Sequence, residues 1–187
     1  MAVEFQAWPK IPRLNREVIV TEKVDGTNAA IQIPEDDSGL FAQSRKRLIT
    51  PGDDNYGFAR WVAENAVVLK DVLGYGIHFG EWYGEGIQKN PLGITGKRFM
   101  LFNVTRWAET FQDPESFAKL RSIGIDLATV VYQGAFNTDA INNAVAELRD
   151  GGSQHVPGGK AEGVIVYHTA ANQLFKVLCE NDEGRKG

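Results

Sequence analysis

The residues best suited to chemistry lie in Glu22-Lys23-Val24-Asp25-Gly26-Thr27-Asn28, where a lysine closes one apolar run just ahead of an Asp-Gly turn. A lysine amine is a nucleophile only once it has lost its proton, and free lysine holds that proton with a pKa of about 10.4. That is roughly three units above neutrality, a barrier of about 4 kcal/mol. Burial and a neighbouring positive charge both disfavour the ammonium form, so a second cation such as Lys176, or a bound metal, would prime Lys23 for attack. Negative charge building on an attacked phosphate needs its own cation. Magnesium suits that role, held by one or two carboxylates such as Glu162 and Glu81 while keeping several of its waters. The plain alternative is a hairpin turn with an exposed lysine. Lys-x-Asp-Gly alone arises by chance in roughly one chain of this length in twenty, so further segments must carry the reading. Taken singly, Phe102 reads as core, Glu162 and Glu81 as strand-edge charges, and Arg45 as part of the solvated basic turn Arg45-Lys46-Arg47.

Such residues need rigid elements to hold them. Short runs rich in β-branched and aromatic residues predict strands over residues 17–23, 28–33, 40–45, 76–83 and 98–105, which sets Lys23 at a strand end. Three more strands follow over residues 127–133, 163–168 and 173–179. Phe58, Trp61, Val62, Leu69 and Val72 recur at helical spacing and predict one helix over residues 55–73. A second helix starts at Asp113, where Asp113 can cap free amides and Pro114 suits the first helical position. A third covers residues 138–148 and is stopped by Gly151-Gly152. Hairpin-length connections between the early strands favour an α+β fold, an antiparallel sheet with helices packed on it.

The whole-chain properties exclude several classes. With 187 residues, 43% hydrophobic and 24% charged, the sequence suits one globular domain, residues 1–187, and is too apolar for disorder. No linker-like shift in composition divides it. Residues 1–13 lack the apolar core of a signal peptide, and no stretch approaches the ~20 apolar residues of a membrane span, so the expectation is a cytoplasmic protein with no membrane partner. One cysteine, Cys179, excludes an internal disulfide framework and a cysteine-rich zinc site. His78, His155 and His168 show no ligand spacing and read as structural or surface residues, and the Gly-Gly pairs lack a P-loop pattern. A net charge of -4 argues against indiscriminate electrostatic binding of nucleic acid, though not against a local basic patch.

Taken in order, the motifs resemble those of the covalent nucleotidyltransferases, the polynucleotide ligases and mRNA capping enzymes. Glu22 to Asn28 looks like the nucleophile motif, and especially like the Glu-Lys-x-x-Gly-Thr-Asn run of phage-type RNA ligases. Ser44-Arg45, Phe79-Gly80-Glu81-Trp82-Tyr83-Gly84, Phe99-Met100-Leu101-Phe102-Asn103-Val104, Glu162-Gly163-Val164-Ile165-Val166-Tyr167 and Leu174-Phe175-Lys176-Val177 resemble the later motifs and keep their order. The resemblance spans residues 21–178 and implies an antiparallel-sheet, ATP-grasp-like ligase catalytic domain with flanking helices. It implies that Lys23 takes AMP from ATP as a covalent lysine adduct with Lys176 beside the same phosphate. Glu162 would hold Mg2+, or Mn2+ in its place, and Glu81 would contact ribose or metal waters. Phe102 would stack on adenine, worth on the order of 1 to 3 kcal/mol, Glu22 and the main chain around Thr21 would read the base edge, and Arg45 would fork onto ribose or phosphate. Asn28, within the nucleophile motif, is also placed at the nucleotide.

The implied reaction transfers AMP to the 5′-phosphate of RNA, and a 3′-hydroxyl then attacks to seal the strand. Asn28 stands where DNA ligases and capping enzymes usually carry arginine, which favours RNA. DNA or a hybrid duplex remains an alternative substrate, as does a nucleotide- or RNA-binding module without turnover. Two departures bear on this. The fifth motif commonly carries two lysines spaced by one residue, whereas Lys176 has Leu174 and Leu178 on either side. Most relatives also append a second domain, and the expectation here is none, with sealing dependent on a partner protein, on oligomerisation or on an already aligned strand break.

Overall fold

The computed structural model describes residues 3–36 and 38–180. Among them, ten strands form two sheets, and five helices cover their outer faces. The smaller sheet has the order β10-β9-β1-β8, with β1 Glu17–Lys23, β8 Val130–Ala135, β9 Gly163–His168 and β10 Gln173–Leu178, all antiparallel. The larger has the order β4-β3-β2-β5-β6-β7. It comprises β2 Gly26–Ile33, β3 Phe41–Ser44, β4 Leu48–Ile49, β5 Gly76–Gly84, β6 Lys97–Leu101 and β7 Ile125–Leu127. The mixed α+β class expected from sequence is the class observed.

Period-two alternation assigns the faces. In the smaller sheet Val18 and Val20 of β1 and Val164 and Val166 of β9 are buried against Ile141, Val145 and Leu148 of α5 Thr138–Gly151. In the larger sheet Ile31, Trp82, Phe99 and Leu101 face α1 Phe58–Glu64 and α2 Ala66–Leu73 through Phe58 and Leu69. Phe58 anchors this core, with its ring centroid 5.3 Å from Trp82 and 5.2 Å from Phe99. Both outer faces are therefore sealed by helices, leaving the inner faces for chemistry. A third cluster, Val24, Tyr83, Leu92, Met100 and Ala128, closes the joint where the two sheets meet.

Several expectations shift. Residues 55–73 form two helices, because the turn breaks at Asn65, whose side-chain amide donates to the Trp61 carbonyl at 2.8 Å in competition with the backbone ladder. The strand expected over residues 98–105 ends at Leu101. Asn103 instead caps α3 Val104–Gln112, its Oδ1 accepting from the Arg106 amide at 3.2 Å. The segment expected as one strand over residues 127–133 is divided between β7 and β8, which belong to different sheets. The helix expected from Asp113 is α4 Pro114–Ser122, with Asp113 accepting from the Ser116 amide at 2.8 Å. The residues between β6 and β7 supply the long crossover that parallel neighbours need, and β6 and β7 are the one parallel pair among the described strands.

Candidate active site

Lys23 stands where the two sheets separate. β1 pairs with β8 and β9, while β2 pairs with β3 and β5, so Lys23-Val24-Asp25-Gly26 is a passage from one sheet to the other and not a hairpin. Gly26 makes this passage possible: a Cβ there would lie 2.5 Å from the Trp82 carbonyl oxygen and 2.8 Å from Tyr83 Cβ. Alternation turns Lys23 and Thr21 away from α5, onto the inner face of the smaller sheet.

Three of the expected partners converge at this corner. The Lys23 ammonium is ion-paired with the Glu162 carboxylate, and the Glu162 amide donates to the Lys23 carbonyl at 3.3 Å, fixing both residues at the same sheet end. Lys23 and Glu162 side chains are 22% and 31% exposed, partly shielded yet open to a ligand. Across the corner, on the inner face of the larger sheet, Asn28 is paired in register with Glu81 and donates to its carboxylate at 2.8 Å. Glu81 is buried, and that burial pushes its carboxyl up to about 7. Lys23 and the Asn28 hydrogen bond pull it down, while Glu162 and Asp25 add repulsion. These mutual influences place Lys23, Glu162, Glu81, Asn28 and Asp25 in one electrostatic neighbourhood.

Lys176 shares Lys23's face: it pairs with Ile165, which pairs with Thr21. Two strand spacings and a two-residue offset put the Lys176 and Lys23 backbones roughly 12 Å apart, within converging reach of two long side chains. Phe102 lies between β6 and α3, half-buried and in none of the three apolar clusters, so it is not a core phenylalanine. Arg45 occupies the β3–β4 turn, exposed, with no hydrogen bond or ion pair among the described residues.

Glu22 behaves differently from the expectation for its side chain. It points to the other side of β1, is buried, and its two oxygens accept from the Ser153 hydroxyl, the Gln154 amide at 2.8 Å and the His155 amide at 2.9 Å. Its carboxylate is thus engaged in holding the loop after α5, leaving Thr21 and the main chain on the inner side. His155, read from sequence as structural or surface, belongs to this joint. Its Nδ1 lies 2.9 Å from Thr129 Oγ1 and its Nε2 2.9 Å from the Tyr83 hydroxyl, which donates to Asp126 at 2.7 Å. Burial lowers the pKa of the His155 ring, and Asp126 also binds the guanidinium groups of Arg98 and Arg121. This network was not visible in sequence, where none of its members has diagnostic spacing.

No three His, Cys, Asp or Glu side chains converge as a metal cage among the described residues. Glu162 and Glu81, on opposite walls of the Lys23 corner, instead fit a hard cation that takes its remaining ligands from water and phosphate. A depression of about 560 Å³ lined by Tyr56, Trp61, Trp82 and Lys97 lies elsewhere and contains none of these residues.

The RNA ligase family model matches residues 16–178. The chain belongs to the RNA ligase family. No curated protein matches it. Among solved structures it is similar to a mutant of the Naegleria gruberi RNA ligase with ATP and Mn, at 16% identity and TM-score 0.64, covering 91% of this chain and 52% of that one. It is also similar to a mutant of that ligase with AMP and Mn, at 17% identity and TM-score 0.63 over 92% and 52%, and to the ligase with PPi, at 17% and 0.60 over 88% and 50%. This family member thus has the fold of those ligases and spans about half their length.

Proposed function

We propose that the chain is an ATP-dependent RNA ligase in which Lys23 carries AMP. The observation that supports this most directly is the Lys23–Glu162 ion pair facing Glu81 and Asn28 at the corner between the sheets, with Lys176 on the same wall. In the first step the Lys23 ammonium gives up a proton to water, its Nζ forms a bond to the α-phosphorus of ATP, the bond from that phosphorus to the bridging β-phosphate oxygen breaks, and pyrophosphate leaves with the displaced electron pair. Glu162 is the carboxylate in direct contact with Nζ, and a cation held by Glu162 would free the amine from its counter-ion. In this reading Lys176 neutralises phosphate oxygens, Phe102 covers the adenine face and the main chain at Thr21 reads the base edge. Magnesium, or manganese in its place, would be held by Glu162 and Glu81 and would supply Lewis-acid neutralisation of phosphate charge. A 5′-phosphate oxygen then attacks the adenylyl phosphorus and the Lys23 N–P bond breaks; a 3′-hydroxyl, losing its proton to water, attacks the 5′-phosphorus, and the bond to AMP breaks, forming the phosphodiester and releasing AMP.

The N. gruberi ligase structures with ATP, AMP, PPi and Mn support this nucleotide and metal choice by likeness of fold. The decisive measurement incubates the protein with α-labelled ATP or GTP and magnesium, then denatures it. A labelled band from ATP that disappears in Lys23→Ala is expected. Labelling from GTP would indicate a capping-type guanylyltransferase, and no covalent label would indicate a binding module. A panel of nicked RNA, DNA and hybrid substrates separates RNA from DNA sealing.

A further inference from the structure

Residues 3–14 leave the body of the molecule without entering a helix or strand, and their apolar side chains are uncovered: Phe5 is 91% exposed, Trp8 86% and Ile11 78%. Among the described residues the segment is fastened at its end. His168 Nε2 donates to the Leu14 carbonyl at 2.7 Å, and the Phe136 amide donates to the Arg16 carbonyl at 2.7 Å. Over residues 3–16 three cations, Lys10, Arg13 and Arg16, stand against one acid, Glu4, so the segment carries 3 − 1 = +2 while the whole chain carries -4. All three cations are exposed. Pro9 and Pro12 restrict the stretch to extended conformations, which lowers the entropy lost when a ligand orders it.

Two uncovered aromatic rings, Phe5 and Trp8, followed by three exposed cations suit an unpaired nucleic-acid strand, since bases stack on the rings and phosphates meet the charges. A protein partner that covered Phe5, Trp8 and Ile11 would have to desolvate Lys10, which lies between Trp8 and Ile11, whereas the cores of protein interfaces are depleted in charge. We infer that residues 5–16 are a docking arm for single-stranded polynucleotide, an inference that rests on the RNA ligase reading above. The arm joins β1 at Glu17, six residues before Lys23. That is about 20 Å along an extended strand, or about six stacked nucleotides. The arm therefore engages the strand several nucleotides from the end being joined.

The test titrates the intact protein against a fluorescent single-stranded RNA of about 20 nucleotides, and against a duplex of that length, by anisotropy at several salt concentrations. Phe5→Ala/Trp8→Ala is expected to weaken single-strand binding at least tenfold. Lys10→Ala/Arg13→Ala is expected to flatten the slope of log affinity against log salt by about 1.4, two contacts at about 0.7 each. Both variants keep the unfolding midpoint of the parent, because the altered residues lie outside every element, and both keep the level of covalent label from ATP. Unchanged RNA affinity in Phe5→Ala/Trp8→Ala, or no single-strand binding by the parent protein, overturns the inference. So does a dimer of the parent that dissociates in the variant, which would assign the arm to a second copy. Loss of covalent labelling in the parent with arm-dependent binding intact would remove the ligase reading and leave the arm.

Discussion

Glu81 concentrates the conflict built into the site. It is a buried acid whose ionisation is opposed most by that burial and further by Glu162 and Asp25, while Lys23 and Asn28 favour it. Its folded pKa, about 7, lies above the ordinary carboxyl value of about 4.5, so the folded protein binds this proton more tightly than the unfolded chain. The stabilisation is fully present below about pH 4.5 and is lost as pH rises through 7. In the metal- and nucleotide-free protein kept in EDTA, Glu81→Gln should remain protonation-independent at this site. The difference in unfolding free energy between parent and variant should therefore drift in the variant's favour between pH 4.5 and 7, by on the order of a few kcal/mol, as read from urea denaturation across that range. A parallel pH dependence of the two proteins would refute the assignment. Glu162, by contrast, is held by a direct ion pair to Lys23.

At the scale of elements, the passage from β1 to β2 sets the geometry, and its glycine is the weak point. A side chain at position 26 would meet the backbone of β5 at Trp82 and must push the passage away. Gly26→Ala should lower stability by about 1–3 kcal/mol, the usual cost of overpacking, and reduce the ATP-derived label beyond what lost folding explains. Comparing label per folded molecule with the melting midpoint checks both parts. The sequence made this passage legible as an Asp-Gly turn at a strand end, because β-branched runs flank it. It did not reveal that the two strands belong to different sheets, since a turn between adjacent strands and a passage between sheets use the same residues. Lys23, Glu162, Glu81 and Asn28, all named from the motif order, lie in one corner, and each sits at or beside a strand with clear alternation. α3 was obscured by the apolar run that precedes it. Asn103 and the i, i+4 pair Trp107 and Phe111 were the available signals, and the strand pattern before them overrode both. Glu22 could not be read from its position, because its partners lie about 130 residues away in the loop after α5.

For the molecule as a whole, the joint between the sheets matters more than either sheet alone. Asp126 is buried and binds Arg98, Arg121 and the Tyr83 hydroxyl, and the chain of contacts continues through His155 to the loop that Glu22 holds. Removing one partner from a buried charged network strands the others. Asp126→Ala should cost about 3–5 kcal/mol, measured by urea unfolding, whereas Asp126→Asn, which keeps the shape and two acceptor lone pairs, should cost less. An equal loss in both variants would mean that charge, and not shape, carries the joint.

The site's two acids ride on different walls: Glu162 travels with Lys23 on the smaller sheet and Glu81 with Asn28 on the larger. Their separation is thus set by how the two sheets are joined, like the gap between facing pages of a book whose spine is the Asp126 network. Any change in the angle between the pages would alter the distance from Glu81 to the lysine while leaving Glu162 beside it.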